Sequence, residues 1–226
     1  MDPRQAPSAV PPELRAAIAE MDSAQLRALT DELLDLSAAR ALRLARSTRP
    51  SRRRSRADTP FSLVVRVDLV GAKPPVWRRV ELPSTLLLSE LHDLAQLLFD
   101  WDDAHLHRFA LGSSVWDRDA ELFLCPYDVQ EGEDEGLPAD QVRLDEVLAE
   151  PGDKLRYVYD YGDEWTLLFK VERVLPDADR PRCTGGRGAP PPEDSGGVWD
   201  WDGSAGPRLD VGQLDRELAD WDADRI

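Results

Sequence analysis

Several stretches of the chain alternate apolar and polar residues, and this period of two predicts β-strands. In residues 61–70 every second residue is apolar, beginning with Phe61 and Leu63, so one face of this strand is expected to be buried. Residues 76–82 predict a second strand, antiparallel to the first, after a turn. Further strands are expected at 105–111, 154–160 and 164–175, and the last two form a hairpin closed through Tyr161, Gly162 and Asp163.

Other stretches repeat their apolar residues at helical spacing. Leu91, Leu94, Ala95 and Leu98 share one face of a helix that begins near Ser89. Shorter signals predict helices at 144–148 and 211–221, whereas the segment 182–206 is rich in glycine and proline and is expected to be irregular. The order hairpin, helix, strand is typical of a β-grasp. We therefore predict an α+β fold with a β-grasp-like mixed or antiparallel sheet and a helix packed across it.

A separate helical arm is predicted before the first strand. Asp22 and Gln25 have the spacing of a capping box. The helix that follows carries an apolar stripe, which must dock on the body or on a second copy: Leu26, Leu29, Leu33 and Leu36. The predicted organisation is an arm over residues 1–46, a linker rich in Arg, Ser and Pro over 47–60, and an α+β domain over 61–226.

Charge divides the chain unevenly. It holds 28 basic and 44 acidic residues, for a net charge of −16. Residues 37–57 contain no acidic residue but eight arginines, from Arg40 to Arg56. An acidic body repels phosphates, so it disfavours general nucleic-acid binding. The arginine segment has three open interpretations: contact with nucleic acid or an acidic partner, folding back onto the acidic body, or plain solvation.

The two cysteines, Cys125 and Cys183, do not make a disulfide framework and favour a reducing compartment. The N-terminus lacks an apolar signal core, and no apolar run has the length that a membrane span requires. We expect a cytoplasmic protein that does not cross a membrane.

The histidines mark a candidate site. His92, His105 and His107 are the three histidines of the chain and lie within 16 residues of one another. In a strand, His105 and His107 would share a face at about 6–7 Å, a usable span for two metal ligands. His105, His107 and Asp103 are therefore the candidate ligands of a divalent metal, the one cofactor considered. The alternative is a partly buried pair with a structural role.

Acidic and aromatic residues of other stretches complete a candidate cleft. The residues before His105, the turn at Gly162 and the segment 183–201 each place carboxylates beside aromatic or glycine residues. Each of these stretches also has the composition of an ordinary turn. The candidate cleft consists of His92, Trp101, Asp102, Asp103, His105, His107, Asp160, Tyr161, Asp163, Trp165, Cys183, Glu193 and Asp194.

No complete catalytic motif is present: the chain lacks a phosphate-binding loop, G-x-S-x-G, H-E-x-x-H and Cys-x-x-Cys. Three functions stay open. The first is a non-catalytic binding or accessory module for a small ligand or a protein. The second is a metal-dependent hydrolase, a nuclease or phosphoesterase, that uses the His and Asp residues. The third is association with DNA through Arg40–Arg56.

Several blocks together resemble the plasmid pRiA4b ORF-3-like family over about residues 60–220. The blocks lie at 76–79, 91–93, 99–109, 159–165, 181–183 and 191–197. The resemblance implies an α+β body and an association with plasmids or insertion elements, sometimes under a resolvase-like label, with no established reaction. It also implies departures: this chain has Pro190 and Ser195 where the family usually has Cys, and Leu167 where it often has His. If those positions form a metal or thiol site with Cys183 and the histidines in the family, this chain has lost three of its members.

Overall fold

The computed structural model describes residues 21, 22, 25–27, 30, 50–132, 134–177, 179–201 and 209–225. The chain divides into two compact units, Met1–Pro50 and Ser51–Ile226. In the first unit the predicted capping box is confirmed, because the backbone N–H of Gln25 donates to Asp22 Oδ1 at 2.8 Å and that of Asp22 to Gln25 Oε1 at 2.9 Å. The remaining residues of the arm's apolar stripe and its arginines lie outside the described residues: Leu29, Leu33, Leu36, Arg40, Arg43 and Arg46.

Eight described strands of the second unit form one sheet. They are β1 (Ser62–Leu69), β2 (Trp77–Pro83), β3 (His107–Leu111), β4 (Glu121–Leu124), β5 (Leu137–Pro138), β6 (Lys154–Tyr159), β7 (Trp165–Leu175) and β8 (Arg182–Arg187). Their order across the sheet is β5-β4-β3-β6-β7-β1-β2-β8. Among these strands all neighbours pair antiparallel except β4 and β5, which pair parallel. The predicted α+β class is confirmed, and the comparison with a β-grasp stays a prediction.

Five described helices of the second unit accompany this sheet. They are α1 (Leu88–Phe99), α2 (Pro126–Glu131), α3 (Leu144–Val147), α4 (Gly197–Asp200) and α5 (Val211–Asp224), with a short 3₁₀ helix at Ala139–Gln141. The predicted apolar stripe of α1 lies in the main core with the inward residues of the strands. No helix among the described residues combines the length and the apolar character that a bilayer crossing requires.

A buried arginine fastens α1 to the sheet. The side chain of Arg78 in β2 is almost fully enclosed, and its Nε donates to the carbonyl of Leu98 in the last turn of α1 at 2.9 Å. Its Nη1 donates to the carbonyls of Arg187 and Gly188 at 3.2 and 3.1 Å. Burial lowers the pKa of Arg78 to about 10, so the guanidinium stays charged at neutral pH. Carbonyl oxygens thus satisfy a buried cation without a carboxylate.

One prediction of local structure is wrong, and one predicted strand begins two residues later than expected. The segment expected to be irregular contains β8 and α4; β8 is rich in glycine and poor in the residues that favour strands. A Cβ at Gly186 would lie 2.9 Å from the carbonyl oxygen of Trp77, so glycine lets β8 approach β2. The strand expected at 105–111 begins only at His107. The backbone N–H groups of Ala104 and His105 donate to the hydroxyl of Tyr159 instead of to a neighbouring strand.

Three arginines at the described end of the arginine segment contact acidic residues of the second unit. Arg53 pairs with Glu121 at 3.0 Å and Glu146 at 2.9 Å, and Arg56 pairs with Glu146 at 3.0 Å. Arg54 makes two hydrogen bonds to Asp153, at 2.7 and 3.1 Å. These four ion pairs match one of the open interpretations, in which the arginine segment folds back onto acidic groups.

Glu146 is the carboxylate that pairs with two arginines of this segment. Besides Arg53 and Arg56, the backbone N–H of Arg143 donates to it at 2.8 Å. Burial raises the pKa of Glu146, but the hydrogen bonds from Arg143 and Arg56 and the attraction to both arginines outweigh burial, so its pKa lies below the usual value.

We expect Glu146→Gln to lower the free energy of unfolding at pH 7 by about 1–3 kcal/mol, because two arginines lose their anion. The depressed pKa stabilises the fold above the unfolded pKa, and that contribution is lost as pH falls through the folded pKa. The variant should therefore lose less stability than the wild type below about pH 4.5. Urea denaturation across pH measures both effects. Glu150→Gln, at an exposed residue nearby, is the control; equal effects of the two substitutions would contradict the expectation.

Candidate functional site

The histidines and carboxylates of the predicted cleft form two groups of three, each with donor atoms within 4.8 Å of one another. The inner group is His92, Asp103 and His107. The outer group is His105, Asp160 and Asp194. The candidate metal ligands His105, His107 and Asp103 therefore do not make up one set. Because β3 begins at His107, the two neighbouring histidines do not share a strand face, and each joins a different group.

The inner group joins α1 to β3. The rings of His92 and His107 are stacked, with centroids 3.5 Å apart and planes at 11°. Both side chains are buried, whereas the Asp103 side chain is 60% exposed. His92 Nε2 lies 2.8 Å from Asp103 Oδ1. One carboxylate at the surface is thus linked to two imidazoles in the core.

A chain of hydrogen bonds fixes the proton on His92. The backbone N–H of Asp103 can only donate, so its partner at 3.1 Å is the Gln96 side-chain oxygen. The Gln96 amide nitrogen then donates to the Tyr157 oxygen at 2.9 Å. The Tyr157 hydroxyl donates in turn to His92 Nδ1, at 2.8 Å. The neutral His92 ring therefore carries its proton on Nε2, which donates to Asp103.

Both inner imidazoles are uncharged at neutral pH. Burial, followed by the proximity of His92, lowers the pKa of His107 to about 3. Burial also lowers the pKa of His92, although the hydrogen bond and attraction to Asp103 oppose this. The inner group therefore combines two buried, neutral rings with an exposed carboxylate.

A cavity of about 640 Å³ lies against the inner group. Its polar lining includes all three histidines together with Asp93, Asp103 and Asp140. Its apolar lining comes mainly from the residue before β3 and from β4, α2 and the 3₁₀ helix, with Leu106, Leu124, Pro126, Val129 and Ala139. Neither Lys nor Arg belongs to the lining among the described residues, so the charged groups of this cavity are carboxylates.

The outer group lies where three separately predicted segments meet. His105 Nε2 is 3.1 Å from Asp194 Oδ1 and 3.7 Å from Asp160 Oδ2. Neither contact has hydrogen-bond geometry, and this buried nitrogen has no hydrogen-bond partner among the described residues. Asp160 is held by its other oxygen, which accepts from the backbone N–H groups of Gly162 at 2.9 Å and Asp163 at 3.3 Å.

Backbone strain concentrates at these carboxylates. Five described residues other than glycine have positive φ, and all are acidic. Three of them, Asp103, Asp160 and Asp194, belong to the two groups, with φ between 54° and 55°. A left-handed conformation costs a non-glycine residue about 1–3 kcal/mol and persists where its surroundings enforce it. The surrounding structure therefore holds the carboxylates of these three residues in place.

Other residues of the predicted cleft frame the outer group. Glu193 accepts hydrogen bonds from the Tyr159 hydroxyl at 2.6 Å and from the backbone N–H of Asp102 at 2.7 Å. The indole N–H of Trp101 donates to the carbonyl of Pro191 at 3.3 Å. Asp163 accepts from the backbone N–H of Gly196 at 3.0 Å. These contacts hold the loop that carries Asp194.

Three predicted residues have other environments. Tyr161 hydrogen-bonds with Arg108 and Asp128, and Trp165 is enclosed in the core. Cys183 lies in β8, where its backbone N–H donates to Asp215. Sequence reasoning missed Gln96 and Tyr157. The position of Gln96, one helical turn after His92, was a usable signal, whereas the approach of Tyr157 depends on the tertiary fold.

The fold and these groups define an α+β protein with an imidazole- and carboxylate-lined cavity. The chain belongs to the plasmid pRiA4b ORF-3-like protein family, whose sequence pattern matches residues 62–213. This confirms the resemblance drawn from the sequence blocks.

Two relatives extend the comparison. The chain is 34% identical over 138 residues to uncharacterized protein y4hQ of Sinorhizobium fredii (strain NBRC 101917 / NGR234). The aligned residues make up 60% of this chain and 66% of y4hQ, so the chain spans slightly less than two thirds of that protein. It is also similar to the crystal structure of MM3350, a protein of unknown function from Methanosarcina mazei Go1. That likeness has a TM-score of 0.53 and 29% identity over 63% of this chain and 78% of the other.

The low pKa of His107 predicts a stability that depends on pH. Between pH 6.5 and 3 the unfolded chain binds more protons at this residue than the folded chain, so stability falls as pH falls through this window. His107→Phe keeps a ring against His92 but removes the titrating group. Its stability should fall less steeply between pH 6 and 4, by up to about 1.4 kcal/mol per pH unit.

Urea denaturation at stepped pH measures these slopes. Phe109→Leu, a core substitution in the same strand, is the matched control and should lower stability equally at every pH. Parallel slopes for His107→Phe and the wild type would contradict a neutral buried His107.

The hydrogen-bond chain predicts one tautomer of His92. Nitrogen NMR should show Nδ1 as an unprotonated acceptor and Nε2 as protonated. Tyr157→Phe removes the donor to Nδ1 and should shift the Nδ1 resonance, with His105 as the internal reference. A protonated Nδ1 in the wild type would show that His92 donates to Tyr157, so that this hydrogen bond runs in the opposite direction.

Proposed function

We propose that the protein is a non-catalytic binding module that holds a small ligand in the cavity beside the inner group. The observation that carries this proposal is the state of His107. Its side chain is only 7% exposed, it lines the cavity, and it has no hydrogen bond to any described residue. His107 therefore offers its ring nitrogens to an occupant of the cavity, and a ligand there can supply their hydrogen-bond partner.

The lining supports a particular class of ligand. Carboxylates without Lys or Arg favour a positively charged or uncharged molecule and disfavour phosphates. The apolar walls favour a ligand with an apolar portion, and about 640 Å³ lies within the usual range of about 300–1,000 Å³ for small-molecule sites. The ligand class that fits is a small organic cation with an apolar portion.

The protonation states support binding over acid–base chemistry. A general base works best with a pKa near the operating pH, and His107, with a pKa of about 3, is far below it. An origin in plasmids or mobile elements belongs to this proposal as well, and its support is the description of the family.

A metal-dependent hydrolase is the second candidate, and the unpartnered Nε2 of His105 between two carboxylates is the observation that favours it. Association with DNA has less support. Arg53, Arg54 and Arg56 are each engaged by a carboxylate, which reduces their attraction for phosphate.

A pair of matched probes tests the lead proposal. Benzylammonium and benzoate share an aromatic ring and differ in the sign of their charge. We expect benzylammonium to shift the NMR signals of His92 and His107, and benzoate to leave them unchanged. Asp103→Asn should weaken benzylammonium binding by about tenfold or more, since a charged hydrogen bond contributes about 1.5–3 kcal/mol.

Asp102→Asn is the matched control, because Asp102 is the exposed neighbour of Asp103 and does not line the cavity. It should bind benzylammonium like the wild type. The proposal fails if neither probe shifts the two histidines, if benzoate binds as well as benzylammonium, or if both asparagine variants behave alike.

A further inference from the structure

We propose that the outer group is a binding site for a divalent first-row metal ion, held by His105 Nε2, Asp160 Oδ2 and Asp194 Oδ1. This inference goes beyond the binding proposal for the cavity and does not depend on it. It also names a different ligand set from the one that the sequence predicted, since Asp160 and Asp194 take the places of His107 and Asp103.

The first observation is an unsatisfied nitrogen. His105 Nε2 is shielded from solvent and has no hydrogen bond among the described residues, although two carboxylates are close to it. A buried ring nitrogen of this kind normally has a partner. The neighbouring oxygens do not serve, because they lie outside the direction in which the nitrogen donates or accepts.

The second observation is the spacing of the donor atoms. Metal–ligand bonds of about 2.0–2.2 Å at tetrahedral or octahedral angles place neighbouring donor atoms about 3–3.6 Å apart. The distances from His105 Nε2, 3.1 Å to Asp194 and 3.7 Å to Asp160, match this spacing within a small adjustment. Donor atoms that are adjacent but do not hydrogen-bond to each other are typical of ligands around one ion.

The third observation is that the carboxylates are held in place. Asp160 uses one oxygen to accept two backbone N–H groups, and its second oxygen faces His105. Asp194 lies in a short loop that is closed by a hydrogen bond from the Ser195 hydroxyl to the carbonyl of Pro192, at 2.7 Å. Such contacts orient metal ligands before the ion arrives.

The inner group is a poorer metal site for a geometric reason. Ring nitrogens bind metals along a direction in the ring plane, and the planes of His92 and His107 are nearly parallel at 3.5 Å. Their donor directions therefore do not meet at one ion. The proton of His92 also occupies the nitrogen that faces Asp103.

The ligand set indicates which ions fit. One imidazole and two carboxylates suit Zn²⁺ or Mn²⁺, because imidazole favours Zn²⁺ and carboxylates favour Mn²⁺. The Asp194 side chain is 77% exposed, so the ion would keep positions open to water. A site of this type can activate a bound water, which is the chemistry that a hydrolase would use.

Calorimetry on the full chain with Zn²⁺ and Mn²⁺ tests the site, and the absorption spectrum of added Co²⁺ reports its coordination. We expect one ion per chain. His105→Ala and Asp194→Asn should each weaken binding by tenfold or more. Asp194 is exposed, and Asp160→Asn keeps an oxygen for the turn, so both asparagine variants should fold.

Two controls make the result specific. Glu164→Gln removes an exposed carboxylate near Asp160, and His107→Phe removes an imidazole of the inner group. Both variants should bind the ion like the wild type. The inference is overturned by an absence of binding up to millimolar metal, by equal effects of Glu164→Gln and Asp194→Asn, or by loss of binding in His107→Phe alone. Benzylammonium binding to Asp194→Asn is measured in parallel, so the two proposals can fail separately.

Discussion

The hydroxyl of Tyr157 is fully enclosed in the core, and its need for hydrogen-bond partners governs the arrangement of the site. Its partners are Gln96 and His92, which lie one turn apart on α1. The helix must therefore present these two side chains to the middle of the sheet. The same contact leaves the proton of His92 on the side of Asp103. One buried phenol thus links the packing of the helix to the chemistry of the cavity.

Neutral imidazoles are the consequence of this packing. His92 and His107 stack between α1 and β3, and the surrounding core excludes the water that would stabilise their charged forms. Left-handed Asp103 and Asp160 add local strain. The fold accepts both costs because the main core and the buried Arg78 fasten the same helix and strands. The two imidazoles and Asp103 converge on the cavity, whereas Asp160 belongs to the outer group. Features that do not improve stability are what the proposed binding roles would explain.

Periodic patterns in the sequence predicted the central strands and α1, because those elements bury one face and their apolar spacing records it. The sequence placed His105, Asp160 and Asp194 in one candidate cleft with ten other residues, but it assigned His105 to a strand and did not group these three together. β8 was missed because Gly186 is required by close approach to β2, which local preference does not encode. The stacking of His92 on His107 was missed for a similar reason. It requires α1 and β3 to be placed against each other, and no local spacing specifies that contact.

His105 lines the cavity and also belongs to the outer group. An occupant of either place would act on the orientation of the same ring. An ion at Nε2 would fix the ring against Asp160 and Asp194, and the same residue forms part of the cavity wall. Thermodynamic linkage makes any such effect reciprocal, so an ion that strengthens ligand binding is itself bound more tightly when the ligand is present. The inner group contributes two imidazoles and Asp103, the outer group contributes Asp160 and Asp194 beside His105, and His105 is the residue through which the two would communicate.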